Sequence, residues 1–327
     1  MKQTRKKLSV ISPCFNEESV IEAFMAETLK ELGKLDEEKY EYEFIVVDDG
    51  SRDGSLDIIK RVAGDDPRIR YISFSRNFGK ESAMLAGLRY ATGDCAVIME
   101  CDLQHPPYLI HKMLRRYEEG FDQVIGKRSR LGEPTQRKVL TRLYYWLANK
   151  FVDVEVVDGA GDFRLLSRPA IDAVLSLKEA NRFSKGLFSW IGFKQTYIEY
   201  ENRQRPNGES KWSFGRLLRY GIDGVLSFNV QPLRICIYSG LVLILLCLLY
   251  IAILFTRILA YGIDVPGYFT TVCIVSIVGG VQLISAGIIG EYVGRIYAEV
   301  KNRPGYIIEE TNAEKNNMAD KNVNNVE

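Results

Sequence analysis

Histidine is nearly missing from this chain of 327 residues, which holds only His105 and His111. So few imidazoles make a zinc centre a poor expectation. The six cysteines, Cys14, Cys95, Cys101, Cys236, Cys247 and Cys273, form no CxxC pair that could replace them. Three of the six fall in apolar stretches, which suits reduced thiols rather than a secreted disulfide framework. Excess charge is lacking too. Lys plus Arg number 43 against 42 Asp plus Glu, a net +1 that offers nucleic acid no bulk electrostatic attraction. The first apolar run, residues 8–11, is too short for a signal-peptide core, so the large N-terminal part is expected in the cytoplasm. No internal repeat is present.

What the chain does have is two long stretches without charge. Residues 235–256 and 265–290 carry no Asp, Glu, Lys or Arg. Each is long enough to cross a hydrocarbon core that takes about 20 helical residues. One such run fits a buried core helix; two in succession, joined by residues 257–264, point to a transmembrane hairpin. Arg216, Arg219 and Arg234 precede it, and Arg295, Lys301 and Arg303 follow it. This bias places both chain ends on the cytoplasmic side of a cell membrane.

The first half alternates strand-like and helix-like segments. Strands are expected at 8–11, 44–47, 69–74 and 95–99, with another beginning at Val124. Helices are expected at 17–32, from about Ser55, and at 80–91. That alternation predicts an α/β domain with an open, mostly parallel sheet. Ligands bind such sheets beyond the carboxyl ends of their strands, where the polar clusters of this chain fall. Residues 139–151 and 212–228 mix aromatic and apolar side chains with Arg and Lys. Helices in the membrane interface and ordinary amphipathic helices packed on the sheet both fit them, and the second leads straight into the first apolar run. After Ile308 the chain is polar and is expected to be disordered.

Four clusters carry candidate chemistry. Pro13, Phe15, Asn16 and Glu17 make a stiff turn that exposes a ring and a carboxylate suited to a nucleoside, although such turns also serve as helix caps. Asp48-Asp49-Gly50-Ser51 sets two carboxylates at a strand end, where repulsion and desolvation disfavour them unless a partner accepts them. Asp49 could take the imide N–H of uracil, and a capping turn is the plainer alternative. Ser75 to Lys80 is a glycine-containing turn with basic groups suited to a diphosphate. Glu100 and Asp102, followed by Gln104 and Pro106-Pro107, form a hard-oxygen pocket suited to Mg²⁺ or Mn²⁺ shared with phosphates. A solvated acidic turn is the alternative there.

These clusters in this order resemble glycosyltransferase family 2, the inverting, Rossmann-like GT-A type. The segments Gly161-Asp162-Phe163-Arg164-Leu165 and Arg205 to Trp212 narrow the resemblance to the polyprenyl-phosphate branch, similar to dolichyl-phosphate mannose synthases and closer to bacterial bactoprenol glucosyltransferases. The resemblance implies donor-binding roles for Pro13, Phe15, Glu17, Val47, Asp49, Glu100 and Asp102. It implies Asp102 and Gln104 as metal ligands, and Arg128, Arg137, Arg205 and Lys211 as phosphate or acceptor contacts. Asp162 matches the position usually assigned as base, a group that could instead orient the acceptor. The family motif usually begins with Asp where Glu100 stands.

The implied reaction is a single displacement that moves a hexose, glucose favoured and N-acetylglucosamine the alternative, from a UDP-sugar to undecaprenyl phosphate. Implied too are membrane lipid contact, a homo-oligomer, and a downstream flippase and second glycosyltransferase. The domain layout expected is a catalytic domain at 1–211, a juxtamembrane helix at 212–234, a hairpin at 235–296 and a cytoplasmic tail at 297–327. A processive polysaccharide synthase would need more spans and a Gln-x-x-Arg-Trp element, which the chain lacks. A membrane-tethered nucleotide-sugar-binding protein without catalysis is the non-enzymatic alternative.

Overall fold

A computed structural model describes residues 5–128, 160–177, 179, 184–201, 231–262 and 267–314. Arg137, Arg205, Lys211 and the expected helices at 139–151 and 212–228 lie outside the described residues.

The order of elements begins β1 (Lys6–Cys14), α1 (Ile21–Leu32), β2 (Tyr40–Asp48), α2 (Ser55–Asp65), β3 (Ile69–Phe74), α3 (Lys80–Tyr90) and β4 (Cys95–Ile98). It continues α4 (Leu109–Glu118), β5 (Gln123–Arg128), β6 (Ala160–Ser167), α5 (Arg168–Ser176), α6 (Ser184–Trp190) and β7 (Gln195–Tyr200). Two long helices follow, α7 (Gln231–Tyr261) and α8 (Tyr268–Val300), and then a last strand, β8 (Ile308–Thr311). The strands form one eight-stranded sheet in the order β7-β5-β6-β4-β1-β2-β3-β8.

β1, β2, β3 and β4 pair in parallel, as their continuous apolar runs predict for strands buried on both faces. One core face packs Phe24, Met25, Ile59 and Met113, from α1, α2 and α4, against the sheet. The other packs Met84, Leu88 and Ile171, from α3 and α5. α3 lies so close to β1 that a Cβ on Gly87 would sit 2.2 Å from the Ile11 side chain, so only glycine fits.

Two strands run against the rest. β6 pairs antiparallel with both β4 and β5, and β8 pairs antiparallel with β3. A reversed strand enters the sheet at the edge where the parallel strands leave it. The first residues of β6 and β8 therefore lie at the carboxyl edge.

β8 corrects one expectation. Residues 309–313 are not a disordered tail: Glu309 to Thr311 belong to β8, and Ala313 is buried in the second core. Composition misleads here because the docking is done by backbone and by Thr and Asn side chains. Thr311 Oγ1 donates to the Tyr71 carbonyl at 2.6 Å, and Tyr71 N–H donates to Asn312 Oδ1 at 2.7 Å. Residues 315–327 lie outside the described residues.

α7 and α8 contain stretches long and apolar enough to cross a membrane, at Gly240–Arg257 and Ile277–Val300. Neither window is buried inside the protein. An apolar surface this extended, held in water, would cost roughly 25 cal/mol per Å², which lipid contact removes.

Candidate active site

Three turns at the carboxyl edge are laced together. Asn16 adopts φ 53°, a left-handed conformation that Asn tolerates, and its side-chain oxygen accepts from the Arg52 N–H at 2.9 Å. In return Asn16 N–H donates to Ser51 Oγ and Glu17 N–H to Ser55 Oγ, both at 2.9 Å. Pro13 is buried, and its carbonyl accepts from the Cys101 thiol at 3.1 Å. Phe15 and Glu17 are half-buried beside this lacing. The Val47 side chain is fully buried in the core, so only its main chain could meet a nucleotide.

Asp48 and Asp49 divide two tasks. Asp48 accepts from Ser73 Oγ at 3.0 Å, which ties β2 to β3. Asp49 accepts from the Phe78 N–H at 2.7 Å and the Gly79 N–H at 2.9 Å, and so holds the turn after β3. Burial pushes the Asp49 carboxyl up to about 6, against the pull of those two N–H groups and with help from the Asp48 charge. Gly50, at φ 68°, lies under this turn; a Cβ there would stand 2.4 Å from the Arg76 carbonyl carbon. Glycine is required because the two turns touch through their backbones.

The acidic motif after β4 meets Asp162 across the sheet. Paired residues of β4 and β6 run from Cys95↔Ser167 to Ile98↔Arg164, and two more steps of that register set Glu100 opposite Asp162. Between them lies Lys80, the first residue of α3. Its Nζ donates to Glu100 Oε1 at 2.6 Å and to Asp162 Oδ2 at 2.5 Å. Burial opposes the ammonium charge, but Asp162 and Glu100 together keep Lys80 protonated. Burial likewise opposes ionisation of Glu100, yet Lys80 and His105 hold it well below the usual carboxylate range. Two acids and one cation thus sustain each other in a part-buried site.

Asp102 is buried, and its Oδ1 accepts from the Gln104 N–H at 3.0 Å. Leu103 between them takes φ 57°, a conformation uncommon for a leucine and kept because its side chain packs on the first core. Behind the motif His105 stacks on Phe163 with ring centroids 5.0 Å apart, and its Nδ1 lies 2.6 Å from the Tyr200 hydroxyl. Its Nε2 is 3.9 Å from Glu100.

Tyr200 pairs in register with Arg128 at the end of β5. Burial raises the Tyr200 phenol, Arg128 opposes that, and Glu100 and Asp102 add to it, which puts Arg128 on the same edge as the acids. A half-buried carboxyl borders the cluster: Glu81 accepts from Ser184 and is pushed up to about 7, first by burial and then by Asp162.

The edge therefore brings together Pro13, Phe15, Glu17, Asp49, Glu100, Asp102, Gln104, Arg128 and Asp162. His105, Tyr200 and Glu81 join them without having been singled out in the sequence. His105 sits inside a motif that could have flagged it, whereas Tyr200, 95 residues away from it along the chain, carries no such signal. Among the described residues no group of three or more His, Cys, Asp or Glu forms a protein-only metal cage. Asp102 and the side chain of Gln104 fit a hard cation that completes its shell with substrate phosphate oxygens. A cleft at the opposite edge, lined by Lys7, Tyr40, Glu43, Arg68 and Arg70, does not compete as a site. Three of its cations are already engaged by carboxylates, Lys7 and Arg70 by Glu43, and Arg68 by Asp66.

Comparison with known proteins gives the family. The family described as Glycosyl transferase family 2 matches residues 9–175, and the GtrB C-terminal hairpin matches residues 231–296. CsbB of Bacillus subtilis (strain 168), named as a glycosyltransferase, is 51% identical over 93% of this chain and 92% of its own. The SfII prophage-derived bactoprenol glucosyl transferase of Shigella flexneri is 39% identical over 93% of this chain and 98% of its own. Among solved structures, the mannosyltransferase PcManGT from Pyrobaculum calidifontis in complex with GDP-Man and Mn²⁺ is 16% identical, covers 92% of this chain and 88% of its own, and gives a TM-score of 0.49. A GT-A sheet with its acidic motif at the carboxyl edge, matched by sequence through β1 to α5 and followed by the apolar hairpin, marks this chain as an enzyme that belongs to glycosyltransferase family 2.

Proposed function

We propose that the enzyme transfers one hexose, glucose in the first instance, from a UDP-sugar to undecaprenyl phosphate with inversion at the anomeric carbon. The observation that carries this reading is the Glu100–Lys80–Asp162 cluster beside Asp102, on a sheet whose last strand leads directly out of an apolar helix. A relative of nearly equal length is named for glucosyl transfer to bactoprenol, which supports the acceptor class.

In this reading Phe15 and Glu17 face the nucleoside, and Asp49 shapes the neighbouring turn while its remaining lone pairs accept from the base. Asp102 and Gln104 hold Mg²⁺ or Mn²⁺, which when bound supplies positive charge against the leaving diphosphate. A phosphate-monoester oxygen attacks the anomeric carbon, the bond from that carbon to the diphosphate oxygen breaks, and its electron pair leaves with the nucleoside diphosphate. The acceptor's second pKa lies near 6, so at pH 7 it is largely a dianion and needs no strong base. Asp162, committed to Lys80 at 2.5 Å, acts as an orienting group rather than a proton acceptor. Arg128 reduces repulsion between the two anionic partners, and Arg137, Arg205 and Lys211 are assigned the same task.

The test is to give purified protein in lipid nanodiscs radiolabelled UDP-glucose, undecaprenyl phosphate and Mg²⁺ or Mn²⁺, with UDP-N-acetylglucosamine in parallel. One sugar per lipid, β-linked from an α-linked donor, is the expected product. Polymer, a retained anomer, or nucleotide binding without lipid product overturns the proposal.

A further inference from the structure

The chain that leaves the second apolar helix returns to the donor side of the site. Residues 301–307 connect α8 to β8, so β8 begins within about 25 Å of the helix end. There the Ser75 N–H donates to the Ile307 carbonyl at 3.0 Å, continuing the pairing of Phe74 with Ile308 past the end of β3. The Tyr306 ring stacks on Phe74, with centroids 5.0 Å apart and planes 12° from parallel. Phe74 in turn meets Phe78 edge-on at 5.8 Å. Phe78 and Gly79 are the two residues whose N–H groups Asp49 holds, and Lys80 follows them. An unbroken ladder of three rings thus runs from the segment after the second apolar helix to the turn that leads into Lys80 of the Glu100–Lys80–Asp162 cluster.

We propose that residues 305–313 are a strap that sets the shape of the turn formed by residues 75–79, with Tyr306 as the positioning residue for donor binding. The inference rests on the reading above, in which that turn borders the UDP-sugar. Two features point to positioning rather than mere edge protection. The regular register of β3 and β8 shifts between Ser73 and Phe74, an irregularity at the point where Tyr306 meets Phe74 and Ile307 meets Ser75. Tyr306 and Ile308 also pack against the same core cluster as Phe78, so a change in one is felt by the other. On its other side the turn is held by Asp49 and by the backbone of Gly50, so the Phe74–Tyr306 stack is the contact that joins it to the strap.

The test compares full-length Tyr306→Leu, which keeps apolar bulk, with Tyr306→Phe, which keeps the ring. Tyr306→Leu should raise KM for UDP-glucose roughly tenfold, a loss within the range of one aromatic contact, with kcat and KM for undecaprenyl phosphate within about twofold. Amide exchange should quicken at residues 75–80 and stay unchanged in α1 and α2. Tyr306→Phe should restore both readouts. Unchanged donor KM and unchanged exchange in Tyr306→Leu overturn the strap. So does a uniform loss of protection with both KM values rising, since that marks a purely structural ring. UDP binding by calorimetry with the same variants keeps the two proposals apart. A wild type that binds UDP but glycosylates no lipid sinks the assigned reaction, whereas equal UDP affinity in wild type and Tyr306→Leu sinks the strap.

Discussion

The four parallel strands β1 to β4 and the two reversed strands β6 and β8 supply the same edge in opposite ways. Each parallel strand ends there and hands its turn to the site in chain order: Phe15 and Glu17, Asp49, Phe78 with Lys80, then Glu100 with Asp102. The reversed strands begin there. β6 enters with Asp162 facing Glu100, and β8 enters with Ile308 beside Phe74. Residues far apart in the chain meet because strand direction, not sequence distance, decides which end of a strand faces the ligand. In the proposed function the parallel half carries the donor contacts, and the reversed half supplies what steadies them.

That contrast can be broken most severely at the parallel half. Asp102→Asn should lower transfer roughly 10³-fold and abolish divalent-ion dependence, because charge stabilisation of several kcal/mol is lost while the fold stays intact. Steady-state rates in metal-stripped and metal-supplemented assays, with a melting curve, check this; full metal-free activity would refute the metal role. Lys80→Met tests the junction of the two halves and should cost roughly 10²-fold in kcat. It leaves Glu100 and Asp162 facing each other without their shared cation, so the Glu100 carboxyl rises and residual activity moves toward higher pH. A pH–rate profile that keeps its wild-type position would show the two strands to be electrostatically independent.

Gly50→Ala probes the contact between turns within the parallel half. It combines left-handed strain with a backbone clash and should cost about 2–3 kcal/mol, read by chemical denaturation. A cost below about 0.5 kcal/mol would show that the turns do not need to touch.

Acid gives a graded perturbation through Asp49. With its carboxyl near 6, the ionised fraction falls roughly tenfold between pH 7 and pH 5, and KM for UDP-sugar should rise by a similar factor. Stability moves the other way for this group. Its pKa is raised from 3.8 to about 6, so its contribution is fully present below 3.8 and is lost as pH rises through about 6. Acidification should therefore weaken donor binding without weakening the fold through Asp49, a sign that paired KM and melting measurements distinguish. The smallest functional effect belongs to Val47→Ala, which should lower stability by about 1–2 kcal/mol yet leave donor KM within about twofold. A large KM change there would mean that the side chain, and not the main chain, meets the nucleotide.

Much of the parallel half was legible because its information is local. Apolar runs ending in Ser-Pro, Asp-Asp-Gly and Glu-Cys-Asp show strand, turn and charge within a few residues of each other. The helix starts at Ser55 and Lys80 were likewise visible from their neighbouring turns. The reversed half was harder to read. Asp162 stands out only through the resemblance to a family motif, and its partner Lys80 looks in the sequence like a diphosphate contact, with nothing local to mark it as the bridge to Glu100. β8 looks like part of a polar tail in the sequence, since four residues of mixed polarity have no periodic signature and become a strand only when the edge of β3 satisfies their backbone.

Composition and pattern alone determined that this protein has a mostly parallel α/β sheet with acids at its carboxyl edge and two long uncharged runs after it. They could do so because burial and hydrophobic period act over short windows of chain. Only the tertiary structure decided which groups meet: Lys80 between Glu100 and Asp162, Asp49 on the turn after β3, and Tyr306 brought back from the end of α8 onto Phe74. Those pairings depend on register between strands and on packing across many residues, and no short stretch of sequence contains that information.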